Sequence, residues 1–294
     1  MKLGIIGNGF VGNAIAHAFI PCMEVKIYDK DSEKSFNTLD EVVNDSDVVF
    51  ISVPTPMSQN GVIDLSIVES VFKDIEKAKN KESDVIFVLK STVVPGTTRS
   101  IKEKHKKLRI VFNPEFLTER HARFDFLNQS RIILGFENDI DVGNGHTHRD
   151  VQVVQSLYNE RFSGNNFIVT NYETAEMIKY FNNLFFAVKV SFMNEMKMVS
   201  DKLEIINWGK AVRGFVSDGR IGDSHLQVPG PDGKRGFGGS CFPKDINAFM
   251  TFTDSIGLDL SLLKGAWKTN LHVRPERDWE KLEGRAVSKK GEVK

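Results

Sequence analysis

The sequence predicts an α/β protein in which a doubly wound parallel sheet is followed by an all-helical domain. Three observations carry this expectation. The first 170 residues alternate short apolar runs with helical stretches. A glycine-rich turn, Gly7-Asn8-Gly9-Phe10-Val11-Gly12, joins the first run to the first helix. Past residue 170 the strand-like runs stop, and apolar residues recur at spacings of three and four.

Strands are expected over 2–6, 25–29, 48–53, 85–89, 110–112, 131–134 and 167–169, each a nearly unbroken apolar run. Such runs suit parallel strands covered on both faces. Helices fit between them, for example over 10–19 and 66–79, and this strand–helix rhythm implies the double winding. The polar stretch 137–150 reads as a surface insertion.

Thr170-Asn171-Tyr172-Glu173 has the form of a capping box ahead of a long helix. In that helix Ile178, Phe181, Phe185, Val188, Phe192, Met196, Val199 and Leu203 form one stripe, which predicts packing on other helices of this chain or of a second copy. A further helix is expected over 208–216. The run 229–240 carries two prolines and five glycines and reads as a mobile loop. Pro243 then opens a helix over 244–256 that Gly257 closes. The expected domains are 1–170, 171–268 and a charged tail, 269–294, with weak periodicity and partial disorder.

Composition narrows the functional classes. Lys+Arg and Asp+Glu both number 39, so nothing favours nucleic acid or an anionic membrane as partner. No apolar run approaches the ~18 residues needed to cross a bilayer. Met1-Lys2 leads directly into the first strand, so no leader is expected. The two cysteines, Cys22 and Cys241, give no disulfide framework and fit a reducing cytoplasm.

The turn at 7–12 is G-x-G-x-x-G between a strand and a helix. Gly7 allows the tight turn, Gly9 the approach of a pyrophosphate, and Gly12 close packing of helix on strand. Free N–H groups at the helix start suit the diphosphate. Asp29 ends the second strand, where it can accept from ribose hydroxyls and repel a 2′-phosphate. That favours NAD over NADP, although Lys30 and Lys34 argue the other way. The half is therefore read as a Rossmann-type dinucleotide-binding domain. The later strand ends, Val53-Pro54-Thr55-Pro56 and Lys90-Ser91-Thr92-Val93, should face the cofactor or else be plain turns.

Chemistry is concentrated in Gly236-Phe237-Gly238-Gly239-Ser240-Cys241-Phe242-Pro243-Lys244-Asp245. A cysteine at a helix start beside a lysine has two forces favouring thiolate. The alternative is a small buried residue behind a glycine loop. His146 and His148 form an H-x-H pair without further ligands, so no metal is expected.

The 236–245 segment closely resembles the catalytic-cysteine motif of the UDP-glucose / GDP-mannose dehydrogenase family. Asn113-Pro114-Glu115-Phe116-Leu117-Thr118-Glu119 resembles its N-P-E-F-L-x-E segment. Lys179 to Asn183 resembles the K-x-x-x-N of its central helix, and Asp218-Gly219-Arg220-Ile221-Gly222 its D-x-R-I-G turn. The resemblance runs to about residue 270.

It implies oxidation of the C6 alcohol of a nucleotide-linked hexose, first of all UDP-glucose, to the carboxylate in two hydride transfers to NAD. Cys241 would form a thiohemiacetal and then a thioester. Lys179 and Asn183, four apart and so on one helix face, would donate to the oxyanion. Glu115 would act as base for hydrolysis. Asp245 would order water or act as a base, and Thr92 would lie near the reacting centre. Glu115 and Glu119 could instead cap a helix starting at Asn113-Pro114.

The implied cofactor contacts are Gly7, Asn8, Gly9, Phe10, Val11, Gly12, Asp29, Lys34, Pro54, Thr55, Thr92, Glu119 and Lys244, the last also helping to keep Cys241 ionised. The implied substrate contacts are Glu115, Phe116, Leu117, Lys179, Asn183, Arg220, Phe237, Gly238 and Gly239, with the loop wrapping the sugar through its amides and Arg220 reaching a neighbouring subunit. A homodimer through the long helix is implied too. The family's second α/β domain, which holds the nucleotide, has no counterpart in these residues, and Pro275 breaks the helix that leads to it. Two rivals remain. One is a single-step β-hydroxyacid-type dehydrogenase, which lacks the cysteine. The other is a non-catalytic NAD-binding relative.

Overall fold

The computed structural model describes residues 1–80, 82–138 and 148–289. The elements are β1 Lys2–Ile6, α1 Phe10–Phe19, β2 Glu24–Tyr28, α2 Leu39–Asn44, β3 Val48–Ile51, α3 Ser66–Ala78, β4 Ile86–Leu89, α4 Thr97–Lys104 and β5 Arg109–Phe112. They continue with α5 Ala122–Leu127, β6 Ile132–Phe136, α6 Arg149–Arg161, β7 Phe167–Asn171, α7 Tyr172–Leu203, α8 Trp208–Val216, α9 Phe242–Ser255 and α10 Ser261–Val273. The chain forms two compact units, Met1–Thr55 with Leu65–Lys179, and Pro56–Asp64 with Tyr180–Lys294. The first unit thus gives up a short loop to the second, and the division falls inside α7 rather than at residue 170.

The first unit holds one seven-stranded sheet in the order β2-β1-β3-β4-β5-β6-β7. Strand side chains alternate between two cores. Leu3, Ile5, Val48, Phe50, Val88 and Val111 join one, and Val49, Ile51, Phe87, Leu89, Ile110 and Phe112 the other. Burial on both faces is why the strands read as unbroken apolar runs.

The sheet departs from the expected parallel arrangement at one edge. β5 pairs with β6 antiparallel, through Phe112 and Gly135, so β6 and β7 run against the first five strands. The connection explains it. Six-residue α5 rises only about 9 Å, too little to carry the chain back to the amino ends of the strands. It packs instead beside α1, where Arg123 donates to Asn13 Oδ1 at 2.7 Å.

Two local expectations are also corrected. The cap of α7 is Asn171, whose Oδ1 accepts from the Thr174 amide at 2.8 Å, while Thr170 lies in β7 and Glu173 pairs with Arg99. No helix begins at Asn113; residues 113–118 run irregularly into a 3₁₀ turn at Glu119–His121.

The second unit is helical. α7 packs inward through Tyr180, Leu184, Ala187 and Ser191, while Phe181, Phe185, Phe192, Met196, Val199 and Leu203 of the predicted stripe are exposed. The tail is folded over its described residues. Trp279, 1% exposed, packs with Met57, Ala286, Trp267 and Leu271, and Met57 exchanges backbone bonds with Ala286 and Ser288. A single tryptophan anchors a segment that its charge content marks as disordered.

Candidate active site

The glycine turn has the geometry its spacing predicts. Gly7 adopts φ +95°, and its amide donates to Tyr28 O at 2.9 Å. A Cβ on Gly12 would overlap the Gly7 carbonyl, whereas a Cβ on Gly9 would meet open space. Gly9 sits at the start of α1, which no side chain among the described residues caps, so the first-turn amides of Phe10, Val11 and Gly12 lack intrahelical acceptors and suit an anion.

Asp29 is tied into this turn. Its Oδ2 accepts from the Asn8 amide at 2.6 Å and its Oδ1 from the Asp31 amide at 2.9 Å. Asn8 Nδ2 donates to Lys34 O, and the Lys34 ammonium pairs with Asp31 at 2.8 Å. Asn8 Oδ1 and Ser52 Oγ are buried with no hydrogen-bond partner among the described residues. Orphaned polar atoms beside a glycine cradle fit a polar dinucleotide. The ends of β3 and β4 are locked together, with Thr55 Oγ1 donating to Thr92 O and Ser91 Oγ bonding both Val53 backbone atoms. Pro54 lies within this lock.

Beyond β5, Glu115 and Lys179 form a buried ion pair, Nζ to Oε1 at 2.8 Å, with Lys179 2% exposed. Glu115 Oε2 accepts from the Leu117 amide at 2.6 Å. The Phe116 ring lies under Lys179 at 5.7 Å and Arg131 at 4.6 Å. Glu119 is exposed at the head of the 3₁₀ turn.

The support beneath this segment is not apparent from motif or spacing. Lys90 is buried, and its Nζ donates to Asn113 Oδ1 at 2.8 Å. Tyr158 Oη donates to the same atom at 2.6 Å, and Asn113 Nδ2 to Ile133 O. Burial pulls the Lys90 ammonium down to about 7, opposed by the Glu115 charge and reinforced by Lys179. A lysine ending a strand buried on both faces was the available signal.

In the second unit Cys241 is the residue from which α9 springs, half-buried, with Pro243 in the first turn. One turn on, the Asp245 amide donates to Cys241 O at 2.8 Å. The Asp245 carboxylate is 1% exposed and accepts from Asn183 Nδ2 and from the Lys244 ammonium. Lys244 therefore pairs with its neighbour's carboxylate, and Asp245 orients Asn183.

Two expectations about the loops change. The amides of Gly236, Phe237 and Gly239 donate to Asn194, Asn270 and Asp278, and Phe237 is buried, so these amides are spent within the unit rather than offered to a sugar. The loop expected to be mobile is held. Arg220 is exposed and grips Asp218 with two nitrogens.

Among the described residues no group of three or more His, Cys, Asp or Glu is gathered as a metal site. His146 lies outside them, and His148 stacks on Phe136 at 4.1 Å. Among the described residues no helix is long and apolar enough to cross a membrane.

Comparison with known proteins finds one family over both parts of the chain. Residues 29–161 match the NAD binding domain of the UDP-glucose/GDP-mannose dehydrogenase family, and residues 173–272 match its central domain. UDP-glucose 6-dehydrogenase of Rickettsia typhi is 36% identical over 251 residues, covering 84% of this chain and 54% of that protein. UDP-glucose 6-dehydrogenase AglM of Haloferax volcanii is 30% identical over 318 residues, covering 94% and 71%. The solved UDP-glucose dehydrogenase of Pyrobaculum islandicum superposes with a TM-score of 0.78 at 28% identity, covering 97% and 71%. The chain spans about half the length of the Rickettsia relative.

Proposed function

Since the chain belongs to the UDP-glucose/GDP-mannose dehydrogenase family, we propose that it oxidises the C6 alcohol of a nucleotide-linked hexose, UDP-glucose first, to the carboxylate. The observation that carries this reading lies at the head of α9, where Asp245, one turn on from Cys241, accepts from Asn183 Nδ2. Within the first unit, Lys179 and Glu115 form a second donor–carboxylate couple.

NAD, when bound at the glycine turn, supplies the hydride acceptor for both steps. Lys179 and Asn183 stabilise negative charge on the C6 oxygen, worth roughly 2.7–4 kcal/mol for each such donor. Cys241 adds to the aldehyde carbon, and the thiohemiacetal so formed can lose a second hydride without release of a reactive intermediate. Glu115, held by Lys179, takes a proton from the water that cleaves the thioester. We also assign the exposed stripe of α7 to a second copy of the chain, because six large apolar side chains on one helix face make a patch suited to association.

A panel of nucleotide sugars with NAD, counting NADH per sugar, tests the reading. Two NADH and a uronate are expected. One NADH indicates single-step oxidation, and NAD binding without turnover indicates a non-catalytic relative; either result rejects the proposal.

A further inference from the structure

The glycine run before Cys241 is fixed by side chains that the proposed reaction leaves unused. The Gly236 amide donates to Asn194 Oδ1 at 3.2 Å, the Phe237 amide to Asn270 Oδ1 at 2.7 Å, and the Gly239 amide to Asp278 Oδ2 at 3.0 Å. Asp278 is itself held by Arg274, Nε to Oδ1 at 2.6 Å. The remaining Arg274 donors reach Asp232 Oδ2 at 2.6 Å and Arg235 O at 3.2 Å.

Arg274 is 2% exposed. A guanidinium buried so deeply is tolerated because two carboxylates and a carbonyl match its donors. Gly238 lies directly against the pair, where a Cβ would strike both the Asp278 carboxylate and the Arg274 guanidinium. Next to Asp278, buried Trp279 roots the segment in its own apolar cluster. The chain of contacts therefore runs from an apolar anchor through an ion pair to an amide two residues before the thiol.

Glycine-rich backbone has the largest conformational freedom to lose, so without such bonds this run would carry Cys241 through many orientations. We propose that Arg274 and Asp278 are positioning residues for Cys241, fixing the glycine run and through it the direction of the thiol where α9 begins. This rests on the reading of Cys241 as nucleophile. The contribution is geometric, since displacement of a reacting group by about 1 Å costs on the order of 100-fold in rate.

Alkylation of the full chain by iodoacetamide, with both cysteines followed by peptide mass spectrometry, tests it. No substrate or cofactor is present, so the result does not depend on which sugar is oxidised. Exposed Cys22 serves as the reference thiol. Asp278→Ala is expected to raise the Cys241-to-Cys22 labelling ratio about tenfold, as the lost bond to a charged group frees the loop. Asp278→Asn still accepts from the Gly239 amide and is expected to stay within about threefold of the parent.

Gly238→Ala keeps both charges but pushes them off the loop, and is expected to match Asp278→Ala. It decides the matter if Asp278→Ala does not fold. An unchanged ratio in either folded variant, or an Asn variant as altered as the Ala variant, overturns the proposal. Absence of NADH production with the expected labelling pattern would instead reject the enzymatic reading and leave the positioning role intact.

Discussion

Glu115 and Lys179 face each other across 2.8 Å almost wholly out of water. Desolvation of two charges consumes most of what their attraction returns, so such a pair contributes little net stability, yet loss of one partner costs about 3–5 kcal/mol. A pair that adds so little to stability suits the chemical role proposed for it. Glu176, one turn earlier on the same helix, behaves differently. Its carboxylate accepts from the Gly96 and Thr98 amides and the Thr98 hydroxyl, yet burial dominates and pushes it up to about 7 from an ordinary 4.5.

Between those two values the folded chain retains a proton that the unfolded chain has released. Stability therefore falls as pH rises from about 4.5 to about 7 and then levels off. Glu176→Gln, which cannot titrate, should lack this contribution. The stability of the parent relative to the variant is expected to drop by about 2–3 kcal/mol between pH 5 and 8, read from thermal unfolding. A difference that stays constant with pH would refute the assignment.

At the scale of elements, α7 shows what periodicity can and cannot reveal. Spacings of three and four mark a helix with an apolar stripe, and that helix is present. They do not reveal which side is covered, because both Tyr180-Leu184-Ala187 and Phe181-Phe185-Phe192 are apolar at helical spacing. The fold buries the first set and leaves the second outside, with Phe185 61% exposed. If a second copy covers it, sedimentation at micromolar concentration should give a dimer, and Phe185→Asp, which buries a charge at the contact, should give a monomer. A monomeric parent would contradict the assignment. The antiparallel turn of β6 was likewise invisible in the apolar runs, since it depends on the shortness of α5 rather than on strand composition.

Across the whole molecule, features local in sequence were legible and features made by distant pairing were not. The glycine turn, Asp29, the Lys179–Asn183 spacing and Cys241 at a helix start all lie within one or two neighbouring elements. Lys90 with Asn113 and Tyr158, and Arg274 with Asp232 and Asp278, join residues that sequence keeps apart or disguises as surface charge. These partnerships support the predicted chemical groups from beneath.

The proposed reaction turns on a covalent bond from Cys241 to the substrate carbon between two oxidations. Acid quench during turnover, followed by mass spectrometry of the Cys241 peptide, measures it directly. A sugar adduct on Cys241 is expected in the parent, and in Cys241→Ser no adduct and no carboxylate. Undiminished carboxylate formation by Cys241→Ser would contradict it.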